Sequence, residues 1–270
     1  MSRMTPLVQA FLKYGKLAEC PIYDLHTHPD RFAGIFFPEP DMDGILRSMD
    51  RCGVAKIAIA PHTALLAPLD GNKLTFAMLA AHPDRFLGYL VFNPRYPENL
   101  DTLLARSLET PGIIGFKIHP SMHDYPLIGD AYQPLFAWAN AHRQLVLSHT
   151  WADPRCDAAA CRRVSEQYPE MIFLLGHSCW GDFERGIALA AEMPNVYLEL
   201  TAAEHVPGFI EQAVRGVGSA KIIFGTDLPW FNPHYTLGCV LFADIEDADR
   251  HAILHGNAER ILDISALPTS

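Results

Sequence analysis

Histidine, lysine and aspartate side chains stand at the ends of short apolar runs in this sequence. They are Asp24, His26, His28, Lys117, His119, His149, His177 and Asp227. His26 and His28 are two positions apart, so both imidazoles would point to the same side of a strand. With His149 and the Asp227 carboxylate they would offer three nitrogens and one oxygen, and would leave room for water. This set is typical of a catalytic site for one divalent metal, with zinc expected first and manganese, iron, cobalt or nickel as alternatives.

Apolar runs recur along the whole chain, and several of these residues close one. The eight runs are Pro21–His26, Ala55–Ala60, Phe86–Phe92, Ile113–His119, Leu145–His149, Met171–His177, Val196–Leu200 and Lys221–Thr226. They are rich in Ile, Val, Leu and Phe and do not alternate with polar residues. This pattern predicts strands that are buried on both faces of a parallel sheet.

Segments with helical spacing of apolar residues lie between these runs, as parallel connections require. They are Asp43–Cys52, Asn72–Ala81, Leu100–Leu108, Pro134–Ala141, Asp157–Tyr168, Phe183–Ala191, Phe209–Val214 and Asp247–Leu262. The pattern predicts an α/β fold, a single (β/α)8 TIM barrel over residues 1–270. An open doubly wound sheet is the alternative, but no G-x-G-x-x-G follows any run. Residues 1–20 predict a short leader helix that caps the bottom of the barrel, and residues 266–270 a loose tail.

Composition excludes several classes of function. The chain has 31 acidic and 21 basic side chains, a net charge of −10, so nucleic acid is not an expected partner. No stretch reaches the roughly 18 to 20 apolar residues that span a bilayer, and Lys13, Lys16 and Glu19 interrupt the segment where a signal peptide would be apolar. The six cysteines include no C-x-x-C pair, so reduced thiols and a cytoplasmic location are expected.

The motifs at the ends of the runs resemble those of the amidohydrolase superfamily. They are Asp-x-His-x-His at 24–28, Gly-Phe-Lys-Ile-His-Pro at 115–120, Gly-His-Ser at 176–178, Phe-Gly-Thr-Asp-x-Pro-Trp at 224–230 and Gly-Asn-Ala-Glu-Arg-Ile-Leu at 256–262. Within the superfamily they are most similar to the amidohydrolase family 2 branch of metal-dependent TIM-barrel hydrolases.

The resemblance implies roles for particular residues. The implied metal ligands are His26, His28, His149 and Asp227. His177 would lie beside the metal and position or protonate the substrate. Lys117 is expected to bind a substrate carboxylate, with a carboxylated lysine that bridges two metals, or a structural ion pair, as alternatives. His119 would also bind substrate. A structural role for this histidine, which directly precedes Pro120, is the equal alternative.

Five further side chains have two interpretations each. Asp24 is either a buried partner of the site or a direct participant. Glu199 either contacts substrate or pairs with a cation at the rim. Trp151, Trp180 and Trp230 follow strand ends and either wall a pocket or anchor loops.

We expect hydrolysis of an amide, ester or lactone bond in a small, carboxylated metabolite, through a metal-activated water with Asp227 as the general base. Non-oxidative decarboxylation by the same kind of metal site is the alternative. Decarboxylases of the branch are commonly longer, which favours the hydrolase for this chain. A phosphodiesterase or nuclease of the TatD type is a third hypothesis, opposed by Lys117 where those enzymes carry a glutamate. A metal-binding scaffold without activity is the non-enzymatic hypothesis, and a homo-oligomer is compatible with each.

Overall fold

Eight parallel strands form a nearly closed barrel in the computed structural model of this chain, which describes residues 4–265. The strands are β1 (Ile22–Thr27), β2 (Val54–Ile59), β3 (Phe86–Val91), β4 (Ile113–Ile118), β5 (Leu145–Trp151), β6 (Ile172–Trp180), β7 (Val196–Glu199) and β8 (Ile222–Ile223). Each strand pairs with the next in chain order. The ring closes where the Leu25 amide donates to the Phe224 carbonyl oxygen at 3.0 Å. The prediction of a (β/α)8 TIM barrel is confirmed.

Helices connect the strands around the barrel. They are α1 (Pro6–Tyr14), α2 (Met42–Cys52), α3 (His62–Leu66), α4 (Pro68–Ala81), α5 (Leu100–Glu109), α6 (Pro120–His123), α7 (Gln133–Ala141), α8 (Ala158–Gln167), α9 (Phe183–Glu192), α10 (Phe209–Val217), α11 (Pro233–Phe242), α12 (Asp247–His251) and α13 (Asn257–Ser265). The predicted leader helix is α1, and it packs against α11. The predicted tail at 266–270 lies outside the described residues. Within residues 4–265, no helix is long and apolar enough to cross a lipid bilayer.

The last predicted helix differs from the observed structure. In place of one helix over Asp247–Leu262, a π-helical segment, Ala252–Gly256, separates α12 from α13. The Asn257 side chain at the start of α13 donates to the carbonyl oxygens of Ser219 and Ile222 at 2.7 and 2.8 Å. These bonds hold the last helix against β8.

Alternation along the strands separates an apolar floor from a polar mouth. In β5, Leu145 and Leu147 pack in one buried cluster, whereas Val146 packs in the cluster that includes the surrounding helices. Because successive side chains point to opposite faces, His149 continues the inner row of Leu145 and Leu147. Lys117 in β4 occupies the equivalent inner position. Polar residues at the carboxyl ends of the strands therefore meet above a packed interior.

Candidate active site

His26 and His28 lie next to each other with ring tautomers defined by their partners. His26 Nδ1 is 2.7 Å from Glu199 Oε2, and His28 Nδ1 is 2.6 Å from the Ala60 carbonyl oxygen. Because both partners accept, each Nδ1 donates and each Nε2 carries a lone pair. The two Nε2 atoms are 3.2 Å apart. Two imidazole lone pairs thus converge on one point, and neither ring carries a proton on its Nε2.

Asp227 completes this ligand group, which we define as His26, His28 and Asp227. Its Oδ1 is 3.4 Å from His28 Nε2 and 3.8 Å from His26 Nε2. The Asp227 amide donates to the His26 carbonyl oxygen at 2.7 Å, which fixes the end of β8 against β1. Burial raises the pKa of the Asp227 carboxyl to about 7, although the Lys117 ammonium lowers it. Two imidazole nitrogens and one carboxylate oxygen, all within 4.8 Å of one another, fit a divalent metal.

Glu199 orients His26 from behind. Its Oε2 also accepts from the His177 amide at 3.2 Å, and its Oε1 accepts from the Thr201 amide and hydroxyl at 2.8 and 2.5 Å. A carboxylate that fixes the tautomer of a histidine is a common arrangement around metal sites. A Cβ on Gly225 would lie 2.2 Å from Glu199 Oε1, so only glycine leaves room for this carboxylate. Glu199 therefore acts through His26, and neither sequence interpretation described this contact.

Asp24 joins the first and last strands and does not line the pocket. Its Oδ1 accepts from the amides of His26 and Thr226, both at 3.1 Å, and its Oδ2 accepts from the Thr226 hydroxyl at 2.5 Å. The side chain is fully buried, and burial raises the pKa of its carboxyl to about 8. Of the two interpretations of Asp24, these contacts favour the buried partner.

Lys117 reaches the ligand group from β4. Its Nζ is 2.8 Å from His26 Nε2, so the amine and a metal would compete for the same lone pair. The side chain is fully buried. Burial lowers the pKa of Lys117 to about 8, and the charges of Asp227 and Glu199 oppose that shift. An ammonium beside a divalent cation is repelled, so metal binding would turn Lys117 towards the pocket.

His149 lies beside the ligand group but outside it. Its ring stacks on His119 with 3.9 Å between centroids and on Trp151 with 5.5 Å. Among the described residues, none forms a hydrogen bond with this ring that would hold it in place. Coordination by His149 needs the ring to turn and stays a prediction.

His177 and His119 present opposite tautomers. His177 Nδ1 is 3.1 Å from the Thr201 carbonyl oxygen, which leaves a lone pair on Nε2. Burial lowers the pKa of His177 to about 3, so the ring is neutral and can accept a hydrogen bond at Nε2. His119 Nδ1 accepts from the Met122 amide at 3.2 Å, which leaves the proton on Nε2 as a donor. The predicted roles of both histidines in substrate binding stay predictions.

A pocket of about 310 Å³ opens at the mouth of the barrel above these residues. Its apolar walls are Phe32, Leu65, Met122, Trp151, Trp230 and Phe231. His28, Lys117, His119, His149, His177 and Asp227 also line it. Two of the three tryptophans are therefore pocket walls, while Trp180 stacks on Trp151 with 5.1 Å between centroids. Four of these walls, Phe32, Trp151, Trp230 and Phe231, offer aromatic rings to a substrate.

His62 is a pocket residue that the sequence analysis missed. Its Nε2 accepts from the Trp230 indole at 2.7 Å, and its Nδ1 is 3.2 Å from the Asp30 carbonyl oxygen. With both nitrogens occupied, His62 holds the Trp230 wall and has no free atom for a metal. Its position two residues after the second apolar run was the available signal.

The chain belongs to the amidohydrolase 2 family. The family model described as Amidohydrolase matches residues 23–264. Members of this family are enzymes. The resemblance to this family that the sequence motifs indicated is confirmed. No curated protein matches the chain.

Solved structures show the same fold at low identity. An uncharacterized TIM-barrel protein from Bordetella bronchiseptica is 19% identical with a TM-score of 0.77, and the match covers 92% of this chain and 100% of that one. 2,6-Dihydroxybenzoate decarboxylase from Rhizobium is 16% identical with a TM-score of 0.74, over 92% and 100% of the two chains. A dihydroxybenzoic acid decarboxylase from Polaromonas sp. JS666, with bound manganese and the inhibitor 2-nitroresorcinol, is 17% identical with a TM-score of 0.75, over 93% and 99%.

Proposed function

We propose that this chain is a metal-dependent hydrolase of an amide, ester or lactone bond in a small, carboxylated molecule. The observation that carries the proposal is the convergence of His26 Nε2, His28 Nε2 and Asp227 Oδ1 at the floor of an open pocket. These residues would hold one divalent ion, zinc or manganese, and His149 would be the fourth ligand. The ion would polarise a substrate carbonyl and lower the pKa of a bound water to about 7.

The protein side chains would carry out the proton transfers and orient the substrate. Asp227 accepts the proton of the attacking water and returns it to the leaving group. His119 donates to substrate from Nε2, and His177 positions the substrate by accepting at Nε2. Lys117, displaced from His26 by the ion, pairs with the substrate carboxylate.

Non-oxidative decarboxylation is the second candidate, favoured by the aromatic walls of the pocket. Phe32, Trp151 and Trp230 offer flat faces to a planar aromatic acid. Chain length does not count against this candidate, because the two decarboxylase structures are matched over 99–100% of their own length. Asp227 would then supply a proton to the ring carbon that loses carbon dioxide.

Isotopes from the solvent separate the two reactions. The manganese-loaded chain is incubated with a panel of carboxylated aryl esters and lactones, and separately with 2,6-dihydroxybenzoate. Hydrolysis in H₂¹⁸O places ¹⁸O in the carboxylic acid product, with no carbon dioxide released. Release of carbon dioxide, with deuterium from D₂O on the vacated ring carbon, would replace the hydrolase by the decarboxylase. Inactivity of a metal-loaded chain on both sets would contradict the proposal for these substrate classes.

Lys117→Ala is expected to leave the metal content of the pocket unchanged. If Lys117 is an ammonium, its removal deletes a competitor for the His26 lone pair and no metal ligand. Elemental analysis after loading with Mn²⁺, which prefers nitrogen and oxygen ligands over thiolates, should find one ion per chain in both proteins. Two ions in the wild type and one in the variant would instead mean a carboxylated Lys117 that bridges two metals.

A further inference from the structure

A second cluster of potential metal ligands lies at the opposite end of the barrel. Cys20 stands two residues before β1, His251 ends α12, and His255 lies in the π-helical segment. One atom from each of the three side chains lies within 4.8 Å of the other two. None of them lines the pocket at the barrel mouth. Any function of this cluster is therefore separate from the proposed reaction.

The two imidazoles of this cluster are already separated as metal ligands would be. His251 Nδ1 is 3.2 Å from His255 Nε2. A tetrahedral zinc ion with Zn–N of about 2.05 Å and Zn–S of about 2.3 Å separates two nitrogens by about 3.3 Å, and a nitrogen and a sulfur by about 3.6 Å. Cys20 Sγ makes a long 3.8 Å contact with the Pro21 carbonyl oxygen and lies no more than 4.8 Å from a nitrogen of each histidine, so it would have to approach them by up to about 1.2 Å.

Glu259 orients one of these imidazoles. Its Oε2 is 3.2 Å from His255 Nδ1, so Nδ1 donates to the carboxylate and Nε2 presents a lone pair towards His251. A histidine held by a carboxylate in this way is a recurrent feature of metal sites. His251 and His255 are four residues apart, a spacing that places two side chains on the same face of a helical segment.

We propose that Cys20, His251 and His255 bind a Zn²⁺ ion, with solvent as the fourth ligand. One thiolate and two imidazoles suit zinc and disfavour magnesium or calcium. Without the ion, His251 Nδ1 donates its proton to His255 Nε2. Binding of the ion would release the Cys20 thiol proton to solvent, while His251 would stay neutral and carry its proton on Nε2. His251 and His255 are half-buried, so solvent ions can reach them.

The site would stabilise the place where the barrel closes. β8 is the shortest of the eight strands and spans only Ile222–Ile223. Cys20 precedes β1. His255 lies in the π-helical segment, which contacts β1 and β8, and His251 comes directly before that segment. A shared ion would therefore link the segment before the first strand to the segment after the last one. Its expected role is stability and not turnover.

Cobalt reports this site separately from the pocket, because only a bound thiolate gives a near-ultraviolet charge-transfer band. Co²⁺ is added to the full chain after removal of metals with a chelator. Because the pocket would take Co²⁺ as well, the band is expected to stop growing by two equivalents per chain, at the intensity of one bound thiolate. It should be absent from Cys20→Ser and present in the matched control Cys239→Ser, whose thiol lies outside the cluster. With Zn²⁺ at about one hundred times its Kd, the Tm of the wild type and of the control should rise by roughly 5 °C more than that of Cys20→Ser, because Zn²⁺ in the pocket stabilises all three proteins alike.

His255→Gln keeps the proposal testable if Cys20→Ser does not fold. This half-buried substitution should also remove the band and the additional rise in Tm. Absence of a thiolate band in the wild type, or its persistence in either variant, would overturn the zinc site. Loss of the proposed hydrolase activity would leave this result unaffected.

Discussion

Replacing His26 by alanine is expected to remove the bound metal and the activity together. His26 supplies one of the converging lone pairs and is the residue through which Glu199 acts on the site. Loss of an outer partner of a metal ligand costs roughly ten- to hundredfold in affinity, so loss of the ligand itself should cost more. Isothermal titration with Mn²⁺, followed by assay of the same samples, measures both quantities.

Two variants calibrate the effect of His26→Ala. Glu199→Gln keeps the ligand but loses the charge behind it, so its Mn²⁺ affinity should fall between those of the wild type and His26→Ala. His82→Ala removes a half-buried imidazole far along the chain from the ligand group and should change neither affinity nor turnover. Activity in metal-free His26→Ala would show that the reaction does not depend on this metal site.

The barrel could be predicted because its signal is local. Continuous apolar runs such as Leu145–His149 have one physical explanation, a strand covered on both faces, and their ends lie on one rim of any parallel barrel. The strand ends were less certain. β5 continues to Trp151, while β8 stops at Ile223, three residues before the predicted end at Thr226. Pairing at these ends depends on the neighbouring strand, which local sequence does not encode.

The contacts that orient the ligand group could not be predicted because they join distant parts of the chain. Glu199 and His26 are 173 residues apart, and nothing in either motif specifies that one carboxylate reaches one imidazole. His62 was within reach of the same reasoning, since it lies two residues after the run that ends at Ala60, as His28 lies two residues after the run that ends at His26.

The predicted helices did not include α11, because apolar periodicity identifies a helix only when one of its faces is polar. The α11 sequence from Pro233 to Phe242 is apolar on most sides, because it packs between α1 and α2 and leaves little polar face. The π-helical segment had no sequence signal, and nothing in the sequence places Cys20 beside His251 and His255, which lie more than 230 residues further along the chain. Separation in the chain conceals the proposed zinc site as effectively as it conceals the contact of Glu199.

Asp227→Asn is expected to separate metal binding from turnover. The asparagine oxygen can still face His28 Nε2, so much of the metal should be retained, but an amide cannot accept the proton of the attacking water. Loss of a general base typically lowers kcat by about 10²–10⁴-fold. Metal content and kcat measured on the same preparation test this directly.

The pH profile of the reaction tests the proposed role of Asp227 as the base. Only the ionised carboxylate accepts a proton, so wild-type activity should be present above the pKa of Asp227 and lost as the pH falls through it. That pKa is about 7 through burial, and a bound cation would move it lower. Asp227→Asn should lose this acidic limb together with the rate. Asp182→Asn, at a surface carboxylate beyond β6, should keep both. An unchanged rate in Asp227→Asn, or an acidic limb that survives in it, would assign the proton transfer to another group.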